Sequence, residues 1–406
     1  MAIEIRSCRQ EEIEDYARVV AYVFAEDDAD AMNEEIRNTA PDWTTCAFVD
    51  GRLGTTMGAF PFTVRLNGNP VHMAGVTAVG TLPEHRRKGL LRKVMQQGFE
   101  TMRERNQPFA ILWASMAAIY QRFGYGIAAD RVTYEFDPRV AQFETRIESP
   151  GTITMMSAQD AFPTIKQLYI QWATGRNMAI HRSSVLWQAD NLRPARKGAP
   201  VYVAIYRNAD GEARGHVAYG TQNRERTEPG PSQVLRVTDF IALDMEAYRA
   251  LWEYICRHDL VGTIVMPNVI PVDDPAPHLL LEPRMLQRRT QDAIWMRVVD
   301  VEKALAARPY GARGDLTVRI DGDAMCSWND GTWLIETDGP SAMVSRTDRK
   351  ADITMRPNAV ATLLAGHTPA TALHRAGVIE AADERALATA DALFRTTHAP
   401  FTPNHF

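Results

Sequence analysis

The chain has 406 residues, 45% of them hydrophobic and 23% charged, a mix that excludes a disordered or fibrous protein and matches a soluble globular one. At roughly 150 residues per domain, this length holds two or three domains. The 45 basic and 50 acidic residues leave a net charge of −5, the wrong sign for a nucleic-acid binder, which carries a positive surplus.

Ile3–Arg6 reads as a short strand, and residues 9–24 as a helix with Ile13, Tyr16, Val19, Val20 and Val23 on one face. Three strands follow, over Thr45–Val49, Arg52–Leu66 and Val71–Thr81. They are joined by Asp50-Gly51 and Asn67-Gly68, which are strong hairpin turns between apolar runs. A helix begins near Gly89, with Leu90, Leu91, Val94, Met95, Phe99 and Met102 as its stripe. Next come a strand at Phe109–Trp113, a short helix around Ile119 and Tyr120, and a strand at Val132–Phe136.

Residues 146–298 repeat this order. The stretch VTDFIALDMEAYRALWEYI stands where VTAVGTLPEHRRKGLLRKVM stands in the first section, without its glycine and arginines. It reads as a second copy that has lost its loop chemistry. The third section, 299–406, places strands at Leu316–Ile320, Ala324–Trp328, Thr332–Glu336 and Ala342–Ser345. A helix follows Pro357 and another spans about Glu380–Ala392, an α+β order. The tail, Pro400-Phe401-Thr402-Pro403-Asn404-His405-Phe406, is aromatic and proline-braced where most chains end in frayed polar residues, so it is expected to dock.

Cys8, Cys46, Cys256 and Cys326 lie far apart and form no CxxC pair. They read as reduced thiols rather than a disulfide framework or zinc site. His72 and His85 lack the spaced partners of a metal set, so no metal is expected. The acidic N-terminal segment lacks a signal peptide's apolar core. No apolar run approaches the ~20 residues of a membrane span, and a cytoplasmic location follows.

The strongest motif is Val79-Gly80-Thr81-Leu82-Pro83-Glu84-His85-Arg86-Arg87-Lys88-Gly89-Leu90-Leu91, set between a strand and a helix. A helix start offers free N–H groups and a partial positive charge. Gly89 lets a ligand approach the backbone, and Arg86, Arg87 and Lys88 add formal charge. A pyrophosphate is the natural guest.

This motif resembles the acetyl-CoA-binding loop of GNAT acyltransferases, although Leu91 stands where the general pattern has Gly or Ala. Its RRxGLL form is similar to the Eis (enhanced intracellular survival) family of multi-acetylating aminoglycoside N-acetyltransferases. So are Tyr120-Gln121-Arg122-Phe123-Gly124-Tyr125-Gly126, the terminal Phe and the three-section layout. The resemblance implies tandem GNAT domains, each a mixed central sheet with flanking helices. The catalytic one is 1–145 and a degenerate one is 146–298, followed by a sterol-carrier-protein-like domain over 299–406.

The resemblance further implies acetyl-CoA as co-substrate, with its pyrophosphate on Arg86, Arg87, Lys88, Gly89, Leu90 and Leu91. The pantetheine arm would lie along Val79, Gly80 and Thr81. Tyr125 is implied as the general acid, and the α-carboxylate of Phe406 as the group beside the amine, the tail threading back to the first domain's active site. Glu26, Asp27, Asp28 and Asp30 would form an acidic pocket for a cationic small-molecule amine. Phe24 and Trp43 would serve as walls, and Ser115 as a contact. A hexamer is implied as well. Protein lysine as the acceptor, or a lipid-binding role for the C-terminal domain with Leu363, Leu364 and Trp333 around a ligand, are the alternatives.

Overall fold

The computed structural model describes residues 2–25, 39–145, 149–194, 199–225 and 230–406. The chain divides into two compact units, Met1–Ala128 with Ile294–Thr397, and Ala129–Ala293 with His398–Phe406.

In the first unit, β1 (Ile3–Arg6), β2 (Cys46–Val49), β3 (Arg52–Leu66) and β4 (Asn69–Thr81) form an antiparallel meander. Asp50 and Asn67 take left-handed φ of 49° and 48° ahead of Gly51 and Gly68, the twist that tight hairpins require. Helix α1 (Ile13–Phe24) packs Ile13, Tyr16 and Val20 beneath this sheet. Helix α2 (Leu90–Glu104) carries the chain from β4 to the parallel strand β5 (Phe109–Trp113). Residues Ile294–Val298 then pair antiparallel with β5. Val94, Met95 and Phe99 of α2 form a core with Met57, Leu112 and the aromatics that follow α3 (Ala117–Gln121).

The C-terminal domain belongs to the same unit. Its sheet has Gly314–Ile320 at the centre, flanked by the meander Gly331–Thr337 and Ala342–Arg346 on one side. On the other lie the short strands Ile353–Met355, parallel, and Ile379–Ala381. Two expectations are corrected here. Residues 324–328 are not a strand, because the Asp323 carboxylate accepts the N–H groups of Met325 and Cys326 and curls the chain into a turn. The last helix starts at Glu384 rather than near 380, with Asp383 accepting from Ala386 N at 2.8 Å as its cap, while Ile379–Ala381 forms the sheet edge. Leu363, Leu364 and Trp333 are buried in the interior of this domain.

The second unit repeats the first unit's grammar. Thr152–Ser157, Tyr202–Arg207, Ala213–Gln222 and Gln233–Ala242 form a meander, and the helix Met245–Cys256 leads to the parallel strand Val261–Pro267. The start of that helix is closed. Asp244 caps it, accepting from Ala247 N at 2.8 Å, and is itself held by Arg214 at 2.8 Å. A carboxylate thus fills the place where an anion would be received.

Candidate active site

Strands β4 and β5 pair in parallel at two registers, Ala74↔Ala110 and Gly75↔Ile111. Three residues on, β4 bulges. Ala78 adopts φ 51°, the register with β3 shifts between Thr56 and Gly58, and Thr56 Oγ1 donates to Ala78 O at 2.8 Å. A bulge bends a strand and increases its twist, so Val79, Gly80 and Thr81 form the last stretch of β4 beyond a kink. Gly80 is buried where α1 closes on it, since a Cβ there would lie 3.0 Å from Val23 Cγ1.

After Pro83–His85, Arg86 is extended and Arg87 turns left-handed at φ 60°. Gly89, φ 77°, is the residue before α2. Arg86, Arg87, Lys88 and Gly89 are exposed, and Leu91 is half-buried beside buried Leu90. Arg86 Nε donates to Thr81 O at 3.1 Å, tying the loop to the strand end. No side chain caps α2, and a Cβ on Gly89 would meet nothing within 4 Å. Fifteen residues of aligned peptide dipoles thus open through a bare glycine among three cations, a geometry that suits an anion.

Two tyrosines, Tyr120 and Tyr125, belong to the same apolar core as Leu90 at the start of α2. Tyr125 is wholly buried. Its ring lies 6.1 Å from Phe99 and 5.7 Å from Tyr120, and its hydroxyl finds no hydrogen-bond partner among the described residues. Burial pushes its ionisation far above the ordinary phenol range. Its backbone is pinned, with Asn358 Nδ2 donating to Tyr125 O at 2.7 Å and to Gln121 O at 2.8 Å. Tyr120, in α3, differs. It is 5% exposed, and its hydroxyl is hydrogen-bonded by Ser115, which is exposed just past β5. Burial raises Tyr120 to about 12, and the Ser115 bond opposes the rise. Tyr120 is the phenol with a polar outlet.

The other residues singled out from sequence are more dispersed. Phe24 is exposed at the end of α1, and Trp43 is half-buried, edge-on to Phe60 at 5.7 Å, with Phe62 next along at 6.0 Å. Glu26, Asp27, Asp28 and Asp30 lie outside the described residues. Phe406 is half-buried and belongs to the second unit. Among the described residues no set of His, Cys, Asp and Glu gathers to hold a metal, and no helix is long and apolar enough to cross a membrane.

Comparison with known proteins agrees with this architecture. Residues 4–128 and 178–301 each match an acetyltransferase (GNAT) domain family, and residues 301–403 a sterol carrier protein domain. The chain is 30% identical to an uncharacterised N-acetyltransferase of Streptomyces griseus, with 100% of both chains covered. It is 27% identical to the N-acetyltransferase Eis of Mycobacterium tuberculosis over 88% of this chain and 89% of that one. The crystal structure of Eis1 from Mycobacterium abscessus superposes with a TM-score of 0.86 at 29% identity, covering 99% of this chain and 100% of that one.

Proposed function

We propose, from the premise that this chain belongs to the Eis-like family of tandem-GNAT N-acetyltransferases, that it acetylates amines of a cationic small molecule of the aminoglycoside or polyamine class. The observation that carries the reading is the open helix start at Gly89, ringed by Arg86, Arg87 and Lys88 at the end of a strand that parts from its neighbour. That arrangement suits the pyrophosphate and pantetheine of acetyl-CoA. The acidic run Glu26, Asp27, Asp28 and Asp30, with Phe24 and Trp43, supports a cationic acceptor through Coulomb attraction. The protein acts in the cytoplasm as a homo-oligomer, a hexamer by likeness to its family.

The neutral amine attacks the thioester carbonyl. The C–N bond forms, the C–S bond breaks, the nitrogen loses a proton and the departing thiolate gains one. Tyr120 supplies that proton, because its hydroxyl has a route out through Ser115. Tyr125 acts as the packed support of the Tyr120 ring. The carboxylate of Phe406 orients the amine and receives its proton through water, since a carboxylate is too weak a base to strip an ammonium directly.

Thiol release tests the substrate class. Tobramycin-like aminoglycosides and spermidine-like polyamines are expected to release CoA, and lysine peptides far less. Release only with lysine peptides would move the acceptor to proteins. The cofactor loop has its own test. Gly89→Val meets open space, so stability falls only by the strain of a positive φ, about 1–2 kcal/mol. The added side chain blocks the approach of phosphate, and the KM for acetyl-CoA rises about tenfold or more. An unchanged KM would remove Gly89 from the cofactor site.

A further inference from the structure

The second unit has a closed helix start and a second feature that fold repetition does not require. Its interior holds a buried arginine, Arg182, whose three nitrogens are all committed. Nη1 and Nη2 donate to the two oxygens of Asp239 at 2.7 and 2.9 Å, and Nε donates to Asn404 Oδ1 at 3.1 Å. Asp239 also meets His216 Nε2 at 2.8 Å. The guanidinium carbon sits 3.7 Å from the Tyr169 ring centre and 4.5 Å from that of Trp187. Arg182, Asp239, His216 and Asn404 are all nearly fully buried.

Asn404 belongs to the tail, and the whole tail is fastened in the same manner. Ala399 N donates to Asp273 at 3.0 Å, Phe401 N to Asn177 O at 2.9 Å, and Asn268 Nδ2 to Thr402 O at 3.2 Å. Asn404 Nδ2 donates to Asn191 Oδ1 at 2.8 Å, and His405 N to Asp190 at 2.9 Å. The Phe401 ring stands edge-on to Trp172 at 6.2 Å. Pro400–Asn404 are buried without any regular secondary structure, and of the tail bonds named here all but Phe401 N to Asn177 O use side chains of the second unit.

We propose that the second domain serves as a receptor for the chain's own C-terminus, with Arg182 as the positioning residue that fixes where the Phe406 carboxylate stands. This rests on the role given above to Phe406. The geometry explains the need. A chain anchored only at His398 would let its terminus wander about 28 Å over eight residues, whereas pinning Asn404 leaves two residues and about 7 Å. Arginine suits this task because one planar fork binds Asp239 twice and still presents Nε to Asn404. A lysine in its place would keep the charge and lose that second bond.

The test uses the full-length chain in three variants, with amide hydrogen exchange of residues 399–406 and steady-state kinetics read together. Arg182→Lys and Asn404→Ala are expected to speed tail exchange at least tenfold. They should also lower kcat about tenfold while the KM for acetyl-CoA stays within twofold. Asn404→Ala lies in the tail and leaves the Arg182–Asp239 pair in place, which covers the case in which Arg182→Lys fails to fold. The third variant appends one glycine after Phe406, moving the carboxylate about 3.5 Å with the anchors untouched, and is expected to lose activity. Unchanged exchange in Asn404→Ala would overturn the receptor. Faster exchange with full kcat, while the glycine extension loses activity, would overturn the positioning role alone. Full activity in all three variants would show that the Phe406 reading itself is wrong.

Discussion

Tyr120→Phe is expected to lower kcat by about 10²–10⁴-fold, the usual worth of a positioned proton donor, with little change in the KM for acetyl-CoA. Tyr125→Phe is expected to keep kcat within a few fold and to raise stability by about 1 kcal/mol or slightly more, because it deletes a buried hydroxyl that has no partner. The contrast follows from the two surroundings. The Tyr125 hydroxyl has no hydrogen-bond partner among the described residues, whereas the Tyr120 hydroxyl meets the exposed Ser115. The pH profile carries the same information. Tyr120 is pushed up to about 12, so its proton is retained through the physiological range, and loss of that proton cannot bend the alkaline limb below about pH 11. Any fall in rate below pH 8 belongs to the amine and its base. Ser115→Ala removes the bond that opposes the rise, making the phenol a weaker acid, and should cost a smaller factor, about tenfold. Full turnover by Tyr120→Phe, or collapse of Tyr125→Phe, would return the acid role to Tyr125.

The first unit was legible because its signals are local. Asp50-Gly51 and Asn67-Gly68 dictate their turns through backbone sterics, and the stripe from Leu90 to Met102 dictates a helix with one apolar face. The open helix start at Gly89 follows from the same local pattern. The resemblance pointed to Tyr125, and the motif gives no sign that Tyr120, five residues earlier, is the one whose hydroxyl meets a polar neighbour, because that depends on packing. Residues 324–328 misled for a related reason. Their apolar run suits a strand, but the backbone bonds that would build it are taken by the single side chain of Asp323. The tail anchors were hidden most deeply, because Arg182, Asp190 and Asp239 are spread through the sequence and meet only in three dimensions. The aromatic, proline-braced ending was the one visible sign that the terminus docks.

Asp323→Ala should be the most destabilising single change in the first unit, by about 3–5 kcal/mol, the usual cost of stranding one partner of a buried ion pair. Asp323 pairs with Arg297, and both side chains are almost completely shielded from water. The same carboxylate accepts from Cys326 N at 2.9 Å and from Asn329 Nδ2 at 3.0 Å, so its loss also leaves those donors unmet. Calorimetry is expected to show the first unit's transition fall by about 10 °C. Asp323→Asn, which keeps an acceptor oxygen, should fall less. Replacing both partners, Arg297→Met with Asp323→Leu, should recover part of the loss, since an apolar pair leaves no charge stranded. The effect reaches the active site along a continuous path of contacts. The Arg297 guanidinium lies 5.4 Å from the Phe99 ring centre, Phe99 supports Tyr125 at 6.1 Å, and Tyr125 supports Tyr120 at 5.7 Å. Loosening the pair therefore loosens the platform of the proton donor. In the folded Asp323→Ala protein, kcat should fall by more than the KM for acetyl-CoA rises, because the path ends at Tyr120 and includes none of Arg86, Arg87, Lys88 and Gly89. A cost under 1 kcal/mol would mean that the pair is hydrated, and a rise in KM without a fall in kcat would break the proposed link to Tyr120.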